Sequence, residues 1–189
     1  MPAEPAYVPN MSSSLLTAED LLDVNVPGKR VELVRGVLVV REPSGLRHGR
    51  VTTAVARRLA DHVEANRLGQ IYSGDTGFTL SRGPDTVRAP DIAFIRQERI
   101  PDPEPLGFPD LAPDLAIEVL SPTNRPGEIL AKVADWLSAA TRLVWVIDPE
   151  RRLVRVYRHD GTEALVSATE ALSGEDVLPG FTCPLYAIV

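Results

Sequence analysis

The chain has 189 residues, 44% hydrophobic and 24% charged, with a formal net charge of -6. That size suits one domain with a sizeable core, and no run approaches the ~18 apolar residues of a membrane span. Cys183 is the single cysteine, which excludes an internal disulfide and a thiolate-rich metal site, while the acidic balance excludes a protein that coats nucleic acid indiscriminately.

Residues 1–14 are rich in Pro, Ala and Ser and read as a flexible tail without the basic and apolar segments of a secretory leader. A single domain is expected over 15–189, in a reducing cytoplasm given the lone cysteine. Thr17-Ala-Glu-Asp20 has the spacing of a helix-capping motif. Val31–Arg35 and Val37–Val40 flank Gly36 and predict two strands joined by a tight turn. From Leu46 to Asn66 the apolar positions Val51, Ala54, Val55, Leu59 and Val63 recur at helical spacing, so a long amphipathic helix is expected. Its outer face carries Arg47, Arg50, Arg57 and Arg58, which belong to a basic stretch: Lys29 to Arg58 holds eight Lys or Arg against Glu32 and Glu42. Such a face meets either solvent or a phosphate backbone.

The period then changes to that of strands. Gln70–Ser73, Gly77–Leu80 and Val87–Ile95 read as successive strands broken by Gly, Pro and Asp. A Pro-rich loop over 101–113 leads into Asp114–Leu120, apolar but for Glu118 and its first residue, as expected of a central strand buried on both faces. Gly127–Ala140 predicts a helix with Ile129, Leu130, Val133 and Leu137 or Trp136 inward. Leu143–Ile147 predicts another buried strand, Leu153–Tyr157 a further one, and the remainder one or two β segments. The plan is α/β (α+β): a central mixed sheet flanked by helices, with an N-terminal hairpin and a C-terminal β tail.

Two acids stand out. Glu118 sits between Ala116-Ile117 and Val119-Leu120, and Asp91 lies between Pro90 and Ile92-Ala93-Phe94-Ile95. An unpaired carboxylate in a buried strand costs several kcal/mol. Either each acid pairs with a nearby cation of the chain, or the two share one divalent metal ion, whose oxygen ligation would suit Mg²⁺ or Mn²⁺.

Pro90-Asp91, with Glu118 on a later buried strand, resembles the PD-(D/E)xK restriction-endonuclease-like superfamily. The ordered set is more specific. Pro90–Ile95, Asp114–Pro122, Lys132 through Val144–Pro149, and Val31–Gly36 followed by His48 resemble the Uma-two family of bacterial endonuclease-like proteins over roughly residues 30–182. The resemblance implies a restriction-endonuclease-like core and Mg²⁺-dependent (or Mn²⁺-dependent) hydrolysis of DNA phosphodiesters. It implies that Asp91, Glu118 and the backbone carbonyl of Val119 are metal ligands, and that the protein is a homodimer able to cut both strands. The superfamily pattern has Lys two residues after the Glu, where this chain has Leu120; in the Uma-two family a Lys on the next helix serves instead, which is Lys132 here. Lys132 alternatively pairs with Glu128 one turn away. Glu32 matches a family position as an extra ligand or water-orienting acid, or else pairs with a neighbouring arginine. His48 matches one that contacts phosphate or assists proton transfer, or else caps its helix. The aromatic residues Trp136, Trp145 and Tyr157 read as core. The alternative function is a catalytically inactive nuclease-like module that binds DNA or a protein.

Overall fold

A computed structural model of the chain describes residues 15–189, so the expected tail over 1–14 lies outside the described residues. In chain order the elements begin with α1 (Ala18–Leu22), β1 (Arg30–Val34), β2 (Val37–Arg41), α2 (Leu46–Asn66), β3 (Gly69–Ser73) and β4 (Phe78–Ser81). There follow β5 (Thr86–Arg88), β6 (Ile92–Arg96), β7 (Leu115–Val119), α3 (Pro126–Ser138), β8 (Leu143–Asp148) and β9 (Leu153–Arg158). The chain ends with β10 (Glu163–Ser167), β11 (Ala171–Ser173) and β12 (Thr182–Pro184). These elements form two compact units: one from residues up to Pro43 with Gly77–Ala89 and Pro105–Leu111, the other from the rest. Among the described residues no helix is long and apolar enough to cross a membrane.

The first unit is an antiparallel sheet in the order β2-β1-β5-β4. Its hairpin turns on Arg35 and Gly36, both at positive φ (49° and 75°), as a two-residue turn of the kind matched to strand twist requires. Thr17 and Asp20 cap α1 reciprocally, as their spacing predicts. Ala18 and Leu21 of that helix cluster with Val24, Leu33 and Val87. The Asp85 carboxylate ties this unit together. It accepts from the Ala18 N–H at 2.9 Å, the Gly83 N–H at 3.2 Å and the Arg82 guanidinium at 2.9 Å.

The second unit is built on a mixed sheet in the order β10-β9-β8-β7-β6-β3, in which only β7 and β8 run parallel. That pair needs a crossover, and α3 supplies it. Val51, Val55, Leu59 and Val63, all on one stripe of α2, pack into a core with Ile92, Phe94, Ile117, Val119, Trp145 and Ile147. Leu172, Leu178, Phe181, Cys183 and Leu185 from the C-terminal segment complete that core, with β11 and β12 paired to each other. At the far edge of the sheet a Cβ on Gly69 (φ 148°) would sit 2.0 Å from the Ile95 carbonyl oxygen, so only glycine lets β3 start this close to β6.

Three expectations are refined. The apolar run from Val87 to Ile95 is divided at Ala89-Pro90-Asp91: β5 joins the first sheet and β6 the second, because proline cannot donate to a ladder. Leu130 is 55% exposed rather than inward, and Val133 and Trp136 are the buried face of α3. The tail holds three β segments, not one or two.

The three donors to Asp85, the Ala18 N–H foremost, hold its carboxyl below the ordinary aspartate value. A depressed folded-state pKa adds stability above the unfolded value that is lost as pH falls through the folded one. Asp85→Asn is therefore expected to lower urea stability by about 2 kcal/mol at neutral pH. The difference from wild type should close as the pH drops below about 4. A difference that is independent of pH would contradict this account.

Candidate active site

β6 and β7 pair antiparallel, with Ile92 opposite Ile117, Ala93 opposite Ala116 and Phe94 opposite Leu115. Asp91 immediately precedes β6 and Glu118 follows Ile117 in β7, so both acids lie at the end of the ladder where Ile92 faces Ile117. Opposed residues of an antiparallel pair leave the same face, with Cβ atoms about 4.5–5.5 Å apart. Since Ile117 and Val119 belong to the core formed with α2, Glu118 projects to the other face, where α3 lies. The structure thus brings the two predicted acids to the same end of the β6–β7 pair, where the Val119 N–H, next in chain to Glu118, donates to Asp91 Oδ2 at 2.7 Å.

Each carboxylate is buried, Asp91 to 8% and Glu118 to 4% exposure, and each is held by two kinds of donor. Lys132 Nζ donates to both Glu118 oxygens, at 3.1 and 2.9 Å. Trp136, one helical turn later, donates its indole N–H to Glu118 Oε1 at 3.1 Å. On the Asp91 side, His48 Nε2 stands 3.1 Å from Oδ2, the same oxygen that takes the Val119 N–H. The other ring nitrogen of His48 is 3.4 Å from the Thr52 hydroxyl. Burial alone would raise the Asp91 pKa, but the hydrogen bond and field of His48, the Val119 N–H and the Lys132 charge outweigh it.

Four of the predicted side chains, Asp91, Glu118, Lys132 and His48, thus gather with the Val119 backbone. Strand alternation would put residue 120, like Glu118, on the α3 face, so a lysine from α3 reaches the region that a lysine at Leu120's position would have served. Glu32 lies in the first unit. It is 3% exposed, pairs with Arg88 at 3.0 Å and Arg41 at 3.9 Å, and accepts from the Ala89 N–H at 3.2 Å. The buried acid Asp114 at the start of β7 is likewise taken up, by the Arg96 N–H at 3.0 Å and Arg99 at 2.7 Å. The residue that sequence reasoning missed is Trp136, read as core and found to be both core and donor. Its i, i+4 spacing from Lys132 was the available signal.

The donor set fits a hard divalent cation: two carboxylates on adjacent strands and the nearby carbonyl of Val119, all oxygen. Among the described residues no three His, Cys, Asp or Glu side chains assemble into a metal cage. An ion here would keep several positions for water or phosphate, as Mg²⁺ usually does.

Removing Lys132 leaves a buried carboxylate without its ammonium partner. Lys132→Met is expected to lower stability by about 3–5 kcal/mol in metal-free buffer. Neutralising the partner as well, in Glu118→Gln/Lys132→Met, should restore part of that loss. Urea unfolding of Lys132→Met, Glu118→Gln and the double variant checks this, and a double variant as unstable as the sum of the two singles contradicts the pairing.

Comparison with known proteins supports the same reading of the fold. The family model described as "Putative restriction endonuclease", Uma2, matches residues 18–186. The crystal structure of a "putative nuclease" from Anabaena variabilis superposes with a TM-score of 0.78 at 20% identity, over 92% of this chain and 97% of that one. No curated protein matches. The restriction-endonuclease-like fold and a family match spanning nearly all the described residues lead to one conclusion: the chain belongs to the Uma2 family.

Proposed function

We propose that this protein is a metal-dependent endonuclease that hydrolyses DNA phosphodiester bonds by PD-(D/E)xK chemistry. The observation that supports the reading is the clustering of Asp91 and Glu118 at one end of the β6–β7 pair, with Lys132 bonded to Glu118 and its charge acting on Asp91. Asp91, Glu118 and the Val119 carbonyl are the ligands assigned to Mg²⁺, with Mn²⁺ as a substitute. When bound, the ion supplies Lewis-acid polarisation of the phosphoryl oxygens and charge stabilisation for the departing alkoxide.

The chain's own groups do the rest. His48 and the Val119 N–H both engage Asp91 Oδ2 and so fix the rotation of that carboxylate. Trp136 does the same for Glu118 Oε1. The Lys132 ammonium has three protons, contacts both Glu118 oxygens and acts on Asp91 through its charge. It orients the attacking water and offsets negative charge that grows on the phosphorus centre. Glu32, held by Arg88, takes a scaffold role in this reading. Cutting both strands of a duplex is simplest with two copies of the site, so a homodimer is the assembly we assign.

A second reading has its own support. Both carboxylates are met by donors of the chain, which is how a binding module that has lost activity would also look. Plasmid nicking in Mg²⁺ or Mn²⁺ separates the two. Wild type should nick, Asp91→Ala should fall to background, and Lys132→Ala should lose about 10²–10⁴-fold in rate. Equal behaviour of wild type and Asp91→Ala with every metal and DNA form would leave the binding module standing.

A further inference from the structure

We propose that the groove between α2 and β3 seats one strand of the DNA substrate and guides its sugar-phosphate backbone to the Asp91–Glu118 site. This rests on the nuclease reading above and adds where the substrate lies.

Position is the first argument. One end of the groove is formed by Thr52 and Ser73. Thr52 is the residue whose hydroxyl faces His48 Nδ1, and Ser73 pairs with Ile92, the neighbour of Asp91. The groove therefore opens at the candidate site and runs from it along α2 and the outer strand β3 to Arg67 and Gln97.

Its chemistry is the second. Arg57 and Arg67 are exposed along the groove and, among the described residues, neither is engaged in an ion pair. Thr53, Gln70 and Ser73 add neutral hydrogen-bonding groups, and Glu64 is the single acid of the lining. On a chain of net charge -6 this is a local excess of positive charge. Arginine, hydroxyl and amide groups are the donors that phosphate and sugar oxygens attract, and they position a strand without reading its sequence. Helical spacing extends the track. Arg50, Thr53 and Arg57 follow one another at i, i+3 and i+7 on one stripe, placing Arg50 and Arg57 about 10 Å apart along the axis on the site-proximal half of α2.

The free outer edge of β3 also invites a second copy of the chain or a peptide strand. The lining speaks against that occupant, because its large aliphatic members are Val63, which is buried, and Ile71, which is half-buried. Little apolar surface remains for a protein partner to cover.

The test is fluorescence anisotropy with labelled single-stranded and duplex DNA in EDTA, so that binding is read without cleavage, over a range of NaCl. Arg57→Glu/Arg67→Glu is expected to bind at least about 10-fold more weakly than wild type, with a salt slope shallower by about 1–2. Glu64→Gln should bind about 3-fold more tightly, an effect of opposite sign that no loss of folding imitates. Wild-type binding that survives the double reversal with unchanged affinity and slope overturns the groove and leaves the nuclease reading intact. Failure of wild type to bind either DNA form at low salt sinks both. A double reversal that binds DNA normally but changes the mass in solution assigns the groove to a second copy instead. If thermal melting shows that the reversal variant is misfolded, Glu64→Gln decides alone: tighter binding upholds the track and unchanged binding overturns it.

Discussion

Placing two carboxylates in the middle of a sheet is the constraint around which the second unit is organised. β7 is buried along its whole length, yet it carries Glu118, and Asp91 stands just before the neighbouring strand β6 with its carboxylate on the Val119 N–H. Taking either charge out of water costs several kcal/mol unless donors replace the lost solvent. The chain provides those donors from three directions. Lys132 and Trp136 come down from α3, His48 comes from the first turn of α2, and the Val119 N–H comes from the strand itself. The start of α2 and the second turn of α3 are therefore fixed by electrostatics as much as by their apolar faces.

The two acids are supported differently, and the difference has chemical meaning. Glu118 is neutralised by a flexible ammonium, whereas Asp91 is oriented by an imidazole and a rigid backbone donor. In the proposed reading, Asp91 and Glu118 would hold a divalent ion that supplies Lewis-acid chemistry, and Lys132 and Trp136 would keep Glu118 oriented beside it.

Much of this was legible in the sequence, for physical reasons that can be named. The helical period of Val51, Val55, Leu59 and Val63, the turn chemistry of Arg35-Gly36 and the capping of Thr17 are local, and local signals survive into the fold. Asp91 and Glu118 were visible because a charge amid apolar neighbours is anomalous. Partnerships between distant segments were not visible. Glu32 could be seen as an acid that needed a cation, but nothing local says that Arg88, 56 residues later, supplies it. Lys132 was recognisable by resemblance and not by spacing. Trp136 was misjudged because apolarity and hydrogen-bonding ability share one side chain, and periodicity reports only the first. The division between the units was hidden because the first is assembled from three separated stretches of chain.

The ladder between β6 and β7 has a consequence for how relatives of this chain should be read. What brings Asp91 and Glu118 together is the register of the β6–β7 ladder, in which 92 faces 117 and 94 faces 115. The linear gap between the two acids is immaterial, since residues can be added to or taken from the connection between Arg96 and Asp114 without changing which residues of the two strands face each other. A single residue gained inside either strand is another matter: it reverses the parity of everything beyond it and carries one acid to the opposite face. A homologue with a very different interval can keep the pair, and one with the identical interval can lose it. Alignments of such chains are best anchored on strand parity, with the intervening length left free.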